Sequence, residues 1–200
     1  MPSQRHERPR RDMLLDAALT LFDTRGYAAT TMSAIQQATG ASTGSLYHHF
    51  PSKAHLAAAL QEHALADYQH GFLSVLQDHP DDAEAGICAA VTYHLRWIGD
   101  HLGQARLLYT LHDPDVTALA APRIAALNDT FFDHVHTWYT NQVDHERVQN
   151  LPLDVLACIW IGPAQEMARS CLIGNTTPDR LPRHATLLAD AAWNALRTPR

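Results

Sequence analysis

Apolar residues recur along this chain at the spacing of helical faces, and no segment alternates as a strand would. The first clear pattern falls at positions i, i+3, i+4, i+7 and i+8, occupied by Leu14, Ala17, Ala18, Leu21 and Phe22. This helix is predicted to begin at Pro9 and to end at Gly26, because glycine adopts the left-handed backbone of a helix end at little cost. The pattern predicts an all-α protein of about nine helices.

Residues 31–50 predict two short helices joined by a tight corner. The first helix has its apolar face at Met32, Ile35 and Ala38. Gly40 and Ala41 keep the corner narrow, and Ser42 or Thr43 can cap the second helix through a side-chain oxygen. The second helix has its buried edge at Leu46 and Phe50, four residues apart. The stretch therefore predicts a helix-turn-helix.

The opposite edge of the second helix carries small hydrogen-bonding groups and rings, with no carboxylate to repel a phosphate. These residues are Thr43, Ser45, Tyr47, His48 and His49. An ordinary helical hairpin would explain the apolar edge, and it would leave this donor-rich edge unexplained.

The run from Thr30 to Lys53, which ends in LYHHFPSK, resembles the DNA-binding segment of the TetR family of bacterial transcriptional regulators. In this pattern a tyrosine, two ring-bearing positions and a phenylalanine are followed by a lysine three residues later. Many family members have a basic residue where this chain has Thr43, and a polar or basic one where it has Met32, so lighter base readout is expected. The residues predicted to contact DNA are Thr31, Ser42, Thr43, Gly44, Ser45, Tyr47, His48, His49 and Lys53.

The resemblance implies a homodimer that binds double-stranded operator DNA and responds to a small-molecule effector. It also implies two domains, a DNA-binding domain over residues 9–68 and a regulatory, ligand-binding and dimerisation domain over residues 69–200. The charge distribution fits this division: residues 1–55 hold six Lys and Arg against four Asp and Glu, whereas the remaining residues hold nine against 17. A modestly basic amino-terminal segment followed by an acidic remainder of the chain favours contact with DNA through one face. For Arg5 and Arg8 the alternative is a disordered, solvated tail.

Helix-breaking prolines and glycines, together with capping aspartates, predict the bounds of the remaining helices. They are a connector from Ser52 to about Gln77, then Asp82–His101, Gln104–Leu111, a long helix with Pro122 in its first turn, Pro152–Leu172 and Pro182–Leu196. In the resembled family the connector joins the DNA-binding module to the regulatory body.

Aromatic residues of the carboxy-terminal body predict an apolar effector pocket with a few orienting polar groups. The residues proposed to line it are Tyr93, His94, Trp97, Leu107, Phe131, Val135, Trp138 and Glu166. Gly162 and Pro163 favour this placement, because a proline inside a helix kinks the axis and opens space beside Glu166. The expected effector is hydrophobic or aromatic. The alternative is that these aromatics form plain core.

The last two long helices carry more apolar surface than one layer of neighbours would cover, which predicts a two-fold dimer through them. The residues concerned are Leu153, Leu156, Ile159, Trp160, Met167, Leu187, Leu188, Ala191 and Leu196. The alternative is that these residues belong to the core of the monomer.

Other classes of function find little support in the sequence. No apolar run is long enough to span a bilayer and no hydrophobic signal region opens the chain, so a cytoplasmic protein is predicted. The three cysteines, Cys88, Cys158 and Cys171, are far apart and are expected to be free thiols. No metal site, cofactor or catalytic motif is predicted, so an enzyme is not expected.

The sequence thus favours a ligand-responsive transcriptional regulator, most simply a repressor. Two alternatives remain at this point. One is a small helical enzyme that uses a histidine and Glu166, and the other is an architectural DNA-binding protein without an effector.

Overall fold

The computed structural model describes residues 4–199, and it describes side chains for residues 10–199. Over this range the chain forms ten helices, and its only bridge between extended residues pairs Val148 with Arg197. The all-α class is therefore confirmed. The helices are α1 (Gln4–Arg25), α2 (Met32–Thr39), α3 (Thr43–His49), α4 (Lys53–Gln77), α5 (Ala83–Asp100), α6 (Leu102–Thr110), α7 (Pro114–Asp144), α8 (Leu153–Trp160), α9 (Gly162–Leu172) and α10 (Arg180–Leu196).

The tenth helix arises because the predicted helix Pro152–Leu172 is two helices, α8 and α9, separated at Ile161. Pro163 lies in the first turn of α9, where its missing N–H costs no intrahelical hydrogen bond. The prediction that Pro163 kinks the interior of one helix is therefore wrong.

Two other helices begin several residues earlier than predicted. The long helix α7 begins at Pro114, where the Asp113 carboxylate accepts hydrogen bonds from the backbone N–H groups of Asp115 and Val116, and Pro122 lies in its interior. Helix α1 begins at Gln4 instead of Pro9. The side chains of Arg5 and Arg8, which the charge argument used, lie outside the described residues.

The first compact unit contains the residues up to Leu65 together with Gly103–Ala125. Its core joins apolar residues of α1 to α3, the first half of α4, α6 and the start of α7. Two polar contacts attach α6 within this unit: the Gln61 side-chain amide donates to the Leu107 carbonyl at 2.7 Å, and Arg106 pairs with Asp23 at 2.6 Å.

The second compact unit contains Ala66–Leu102 and Ala126–Arg200. Its central packing is α5 against α10, with α9 packed on both of these helices and α8 packed on α10 and α9. Helix α10 buries a row of small and aliphatic side chains, which are Leu181, Ala185, Ala189, Ala192 and Leu196. The alanines let the helix axes approach closely.

Among the helices described, none has the length and apolar character needed to cross a bilayer. The predicted domain boundary between residues 68 and 69 stays a prediction.

Candidate functional site

Local capping groups define the helix-turn-helix at both ends of its corner. The Thr31 hydroxyl accepts a hydrogen bond from the Ala34 N–H at 3.1 Å and so caps α2. Gly40 has φ +64°, the left-handed conformation expected at this corner. Ser42 then caps α3 by accepting from the Ser45 N–H at 3.2 Å. Both the left-handed glycine and the Ser42 cap confirm the sequence prediction.

Side-chain contacts hold the two helices of the corner in place. The Gln36 amide donates to the Thr43 hydroxyl oxygen at 3.0 Å, which ties α2 directly to α3. Leu46 and Phe50 are buried, as predicted, and anchor α3 from beneath. On α2, Ile35 is buried but Ala38 is exposed, so Ala38 does not belong to the predicted apolar face.

The outward face of α3 combines exposure with hydrogen-bonding capacity. Tyr47 is 48% exposed, Thr43, Gly44 and His48 are exposed as well, and the capping residue Ser42 beside them is also exposed. Ser45 and His49 are half-buried. No aspartate or glutamate occurs anywhere in residues 24–61. The face therefore presents hydroxyl groups and imidazoles without a nearby carboxylate of its own segment, which suits a polyanion.

Lys53, at the start of α4, has partners within the protein. Its ammonium group donates to the carbonyl oxygens of Tyr27 at 2.7 Å and Ala28 at 3.3 Å, and it lies 4.3 Å from the centre of the Tyr27 ring. The loop between α1 and α2 is thereby attached to α4. An ammonium group has three N–H donors, so one remains for a phosphate.

A cavity of about 690 Å³ lies in the second unit. Its wall is mainly apolar and rich in aromatic rings, a composition typical of small-molecule sites. The lining residues are Tyr68, Phe72, Phe131, Phe132, Val135, Leu153, Asp154, Leu156, Ala157, Cys158, Trp160, Ile161, Gly162 and Gln165.

Two of the predicted pocket residues, Phe131 and Val135, line this cavity. Three others, which are Tyr93, His94 and Trp97, are buried behind it. They surround Tyr68, whose hydroxyl lies 2.9 Å from His94 Nδ1 and whose carbonyl accepts from the Tyr93 hydroxyl at 3.0 Å. These residues support the wall without forming it.

The remaining three predicted pocket residues lie elsewhere. Leu107 belongs to the core of the first unit, because α6 packs there. Trp138 stacks on Trp160 at 5.6 Å and lines a neighbouring groove instead of the cavity. Glu166 is exposed and forms a two-bond ion pair with Arg169, whereas its neighbour Gln165 lines the cavity.

Sequence reasoning missed Tyr68 and Phe72, which α4 contributes to the cavity wall. An available signal was their spacing of four residues, which places two aromatic rings on one face of the helix. The predicted connecting role of α4 does not account for this aromatic face.

His94 is fully buried, and burial lowers the pKa of its imidazole to about 4. Its Nε2 has no hydrogen-bond partner among the described residues. Because His94 is buried and Glu166 is exposed, these two side chains do not converge in one cleft. Within residues 10–199, no group of three or more His, Cys, Asp and Glu side chains could hold a metal ion.

The residues predicted to form a dimer surface divide into a buried, a half-buried and an exposed set. Ile159, Met167 and Leu188 are half-buried, and Ala191 is exposed. Leu156, Trp160 and Leu196 are buried within the unit, so the core alternative is correct for them. Leu153 is 48% exposed and Leu187 is 68% exposed. The exposed part of α8 and α10 is therefore narrower than the sequence suggested.

Comparison with known proteins gives a consistent result for the helix-turn-helix segment and for the full chain. Residues 14–60 match the family model of bacterial regulatory proteins, tetR family. The chain is 30% identical over 201 residues, covering 98% of this chain and 97% of the relative, to the HTH-type transcriptional repressor Rv1474c of Mycobacterium tuberculosis. It is 59% identical over 44 residues, 22% of each chain, to the HTH-type transcriptional repressor KstR2 of Rhodococcus jostii.

Solved structures share the fold at low sequence identity. The fatty acid degradation regulator FadR of Bacillus halodurans superimposes with a TM-score of 0.76 at 16% identity, covering 96% of this chain and 98% of that chain. A TetR family transcription regulator of Marinobacter aquaeolei VT8 gives a TM-score of 0.68 at 19% identity, with both chains covered completely.

Proposed function

The chain belongs to the TetR family of bacterial transcriptional regulators, and on this basis we propose that it is a homodimeric repressor which a small apolar effector releases from its operator. The observation that carries the proposal is the outward face of α3, exposed and free of carboxylates, on a helix-turn-helix with well-defined caps. Its relatives over the full chain and over the short segment are both named as transcriptional repressors.

The DNA-contacting residues we propose are those of the sequence analysis, divided by role. The Thr31 and Ser42 hydroxyl groups, the Gly44 backbone and Lys53 position the protein on phosphates. Base edges and thymine methyl groups are contacted by Thr43, Ser45, Tyr47, His48 and His49.

Dimerisation is proposed through the exposed face of α10, with Leu187 as the central apolar contact, because most of the exposed residues of α8 line the cavity. A two-fold dimer is needed because two recognition helices must enter successive major grooves, about 34 Å apart along the duplex. The neighbours of Leu187 on the same helical face include Arg183 and Asp190, which supply a polar rim.

Effector release is proposed to act through α4. This helix begins at Lys53 and later contributes Tyr68 and Phe72 to the cavity wall. An effector that binds better to one orientation of Tyr68 and Phe72 shifts the population toward conformers with that orientation. By linkage, the effector must bind the DNA-free protein more tightly by the same factor by which it weakens operator affinity.

The experiment that tests DNA binding starts by selecting a preferred duplex from a random library with the purified protein. Affinity is then measured by fluorescence anisotropy for the wild type, His48→Ala and His136→Ala. Both variants remove an exposed imidazole, one from α3 and the other from α7 in the second unit.

We expect His48→Ala to weaken specific binding about 5- to 150-fold, the cost of one good base contact, and His136→Ala to leave it unchanged. A selected duplex without two-fold symmetry would contradict the dimeric arrangement. Equal affinity of both variants and the wild type would contradict the proposed role of His48.

A further inference from the structure

The lining of the cavity in the second unit carries one negative charge and no positive charge, which indicates the chemical class of its ligand. Asp154 is the only acidic residue of its lining, and none of its lining residues is Lys, Arg or His. We propose that the effector is a lipophilic cation, an aromatic amine or ammonium compound whose positive group lies beside Asp154 and whose apolar body fills the cavity. The inference rests on the proposed function only where it calls the ligand an effector, because the binding site itself is argued from the cavity alone.

The Asp154 carboxylate is available to a cation. It is the second residue of α8 and is exposed, and its Oδ1 accepts a hydrogen bond from the Val155 N–H at 2.9 Å. A carboxylate in the first turn of a helix interacts favourably with the helix dipole. Among the described residues, no basic side chain forms an ion pair with it. A ligand ammonium group would therefore find a charged acceptor without a competing partner.

The basic residue of the adjacent helix α9 is already neutralised. Arg169 donates to both carboxylate oxygens of Glu166, at 2.7 Å and 2.6 Å. Neither residue lines the cavity. A ligand carboxylate or phosphate would thus meet Asp154 without a lining cation to offset the repulsion.

The aromatic rings of the wall favour the same class of ligand. Phe72 lies 5.4 Å from Phe131 and 5.9 Å from Trp160, and Phe131 lies 5.3 Å from Phe132, between ring centres. Together with Tyr68 they form a connected aromatic wall. Ring faces attract cations and stack on flat apolar bodies.

The rim of the cavity sets the orientation of the ligand. Phe132 is 55% exposed and Leu153 is 48% exposed, and Asp154 directly follows Leu153. The negative charge of Asp154 is therefore at the solvent-exposed rim of the cavity, whereas Trp160 on the inner wall is buried. A cation at the rim keeps part of its hydration while its apolar body leaves water, which avoids the cost of burying a charge.

The test uses three probes with one aromatic body: pyrenemethylamine, pyrenemethanol and pyrenecarboxylate, which are cationic, neutral and anionic at pH 7. Binding to the full chain without DNA is followed by pyrene anisotropy and by isothermal titration calorimetry. The variants are Asp154→Asn, which removes the charge and keeps the shape, and Asp144→Asn, a control at an exposed aspartate outside the cavity. Ala157→Trp fills the cavity from an exposed lining position and shows where the probes bind.

We expect the amine to bind the wild type about five-fold more tightly than the carboxylate, the upper end of the effect of one exposed charge pair. Asp154→Asn should remove this preference and leave the alcohol unchanged, Asp144→Asn should keep it, and Ala157→Trp should abolish binding of all three probes. Added salt should reduce the preference, because exposed charges are screened.

Several results would overturn the inference: no binding of the amine, equal affinity for amine and carboxylate, or a preference that persists in Asp154→Asn. Release of the operator is measured separately with the same probes. Release by the alcohol or carboxylate alone would support the proposed function and refute the cation, whereas Asp154-dependent amine binding without release would support the cation site and refute effector release.

Discussion

The contacts of Lys53 lead to a prediction that separates a structural role from a DNA-binding role. Its ammonium group attaches the loop between α1 and α2 to the start of α4, through the carbonyl oxygens of Tyr27 and Ala28. Replacing Lys53 with alanine removes these hydrogen bonds and the contact with the Tyr27 ring. It also removes the remaining N–H donor that we assign to a phosphate.

The magnitude follows from the number of contacts and their exposure. Hydrogen bonds to a charged donor contribute roughly 1.5–3 kcal/mol each, and an exposed cation–π contact contributes about 0.5–1 kcal/mol. Lys53 is only half-buried, and water replaces part of what is lost. We therefore expect Lys53→Ala to lower the free energy of unfolding by about 1–2 kcal/mol.

The assay compares Lys53→Ala with Arg123→Ala, which removes a positive charge from an exposed position of the same unit. Urea titrations give the free energies of unfolding, and operator affinity is measured from 50 to 200 mM salt. Loss of one phosphate contact should reduce the slope of log affinity against log salt by about one per recognition unit. Equal unfolding free energies of the two variants would refute the structural role, and an unchanged salt slope would refute the phosphate contact.

Three further predictions concern single side chains. Lowering the pH from 6.5 to about 4 should reduce the free energy of unfolding of the wild type by about 3 kcal/mol, because His94 takes up a proton when the protein unfolds. This loss should be absent in His94→Gln, and identical pH profiles of the two proteins in urea titrations would contradict the prediction. Gly86→Ala should lower the free energy of unfolding by about 1–2 kcal/mol, since the added Cβ would lie 2.5 Å from Trp138 Cζ2. The control Gly44→Ala, whose added Cβ would have no atom within 4 Å, should raise the free energy of unfolding slightly. An unchanged free energy of unfolding of Gly86→Ala in the same titration would show that the tryptophan can move. Leu187→Glu should yield monomers in sedimentation velocity with its melting temperature maintained, and a persistent dimer would place the interface elsewhere.

The sequence was informative where structure depends on neighbours in the chain. The left-handed Gly40, the Ser42 cap and the buried pair Leu46 and Phe50 all follow from groups within a few residues of one another. Asp82 caps α5 for the same reason. These features define the helix-turn-helix, which is why its fold could be predicted from the sequence.

Prediction failed where structure depends on distant segments. Leu107 was predicted to line the pocket, but α6 packs in the first unit. No local sequence pattern shows which unit a helix joins. Pro122 is a plausible helix start, yet the Asp113 cap begins the helix earlier and tolerates the proline inside it. Glu166 could have been assigned to the surface, because Arg169 lies three residues further along the same helix.

One buried glutamine in each compact unit fixes the part of α4 that belongs to that unit. Gln61 is 6% exposed and donates to the Leu107 carbonyl in the first unit, and Gln69 is 5% exposed and donates to the Asn128 side chain in the second. Turning or sliding α4 in either unit would leave a buried amide without its partner, which costs about 1–3 kcal/mol. Within each unit the hydrogen bond therefore favours a discrete orientation of that part of α4 over a continuous range, which the proposed response to an effector requires.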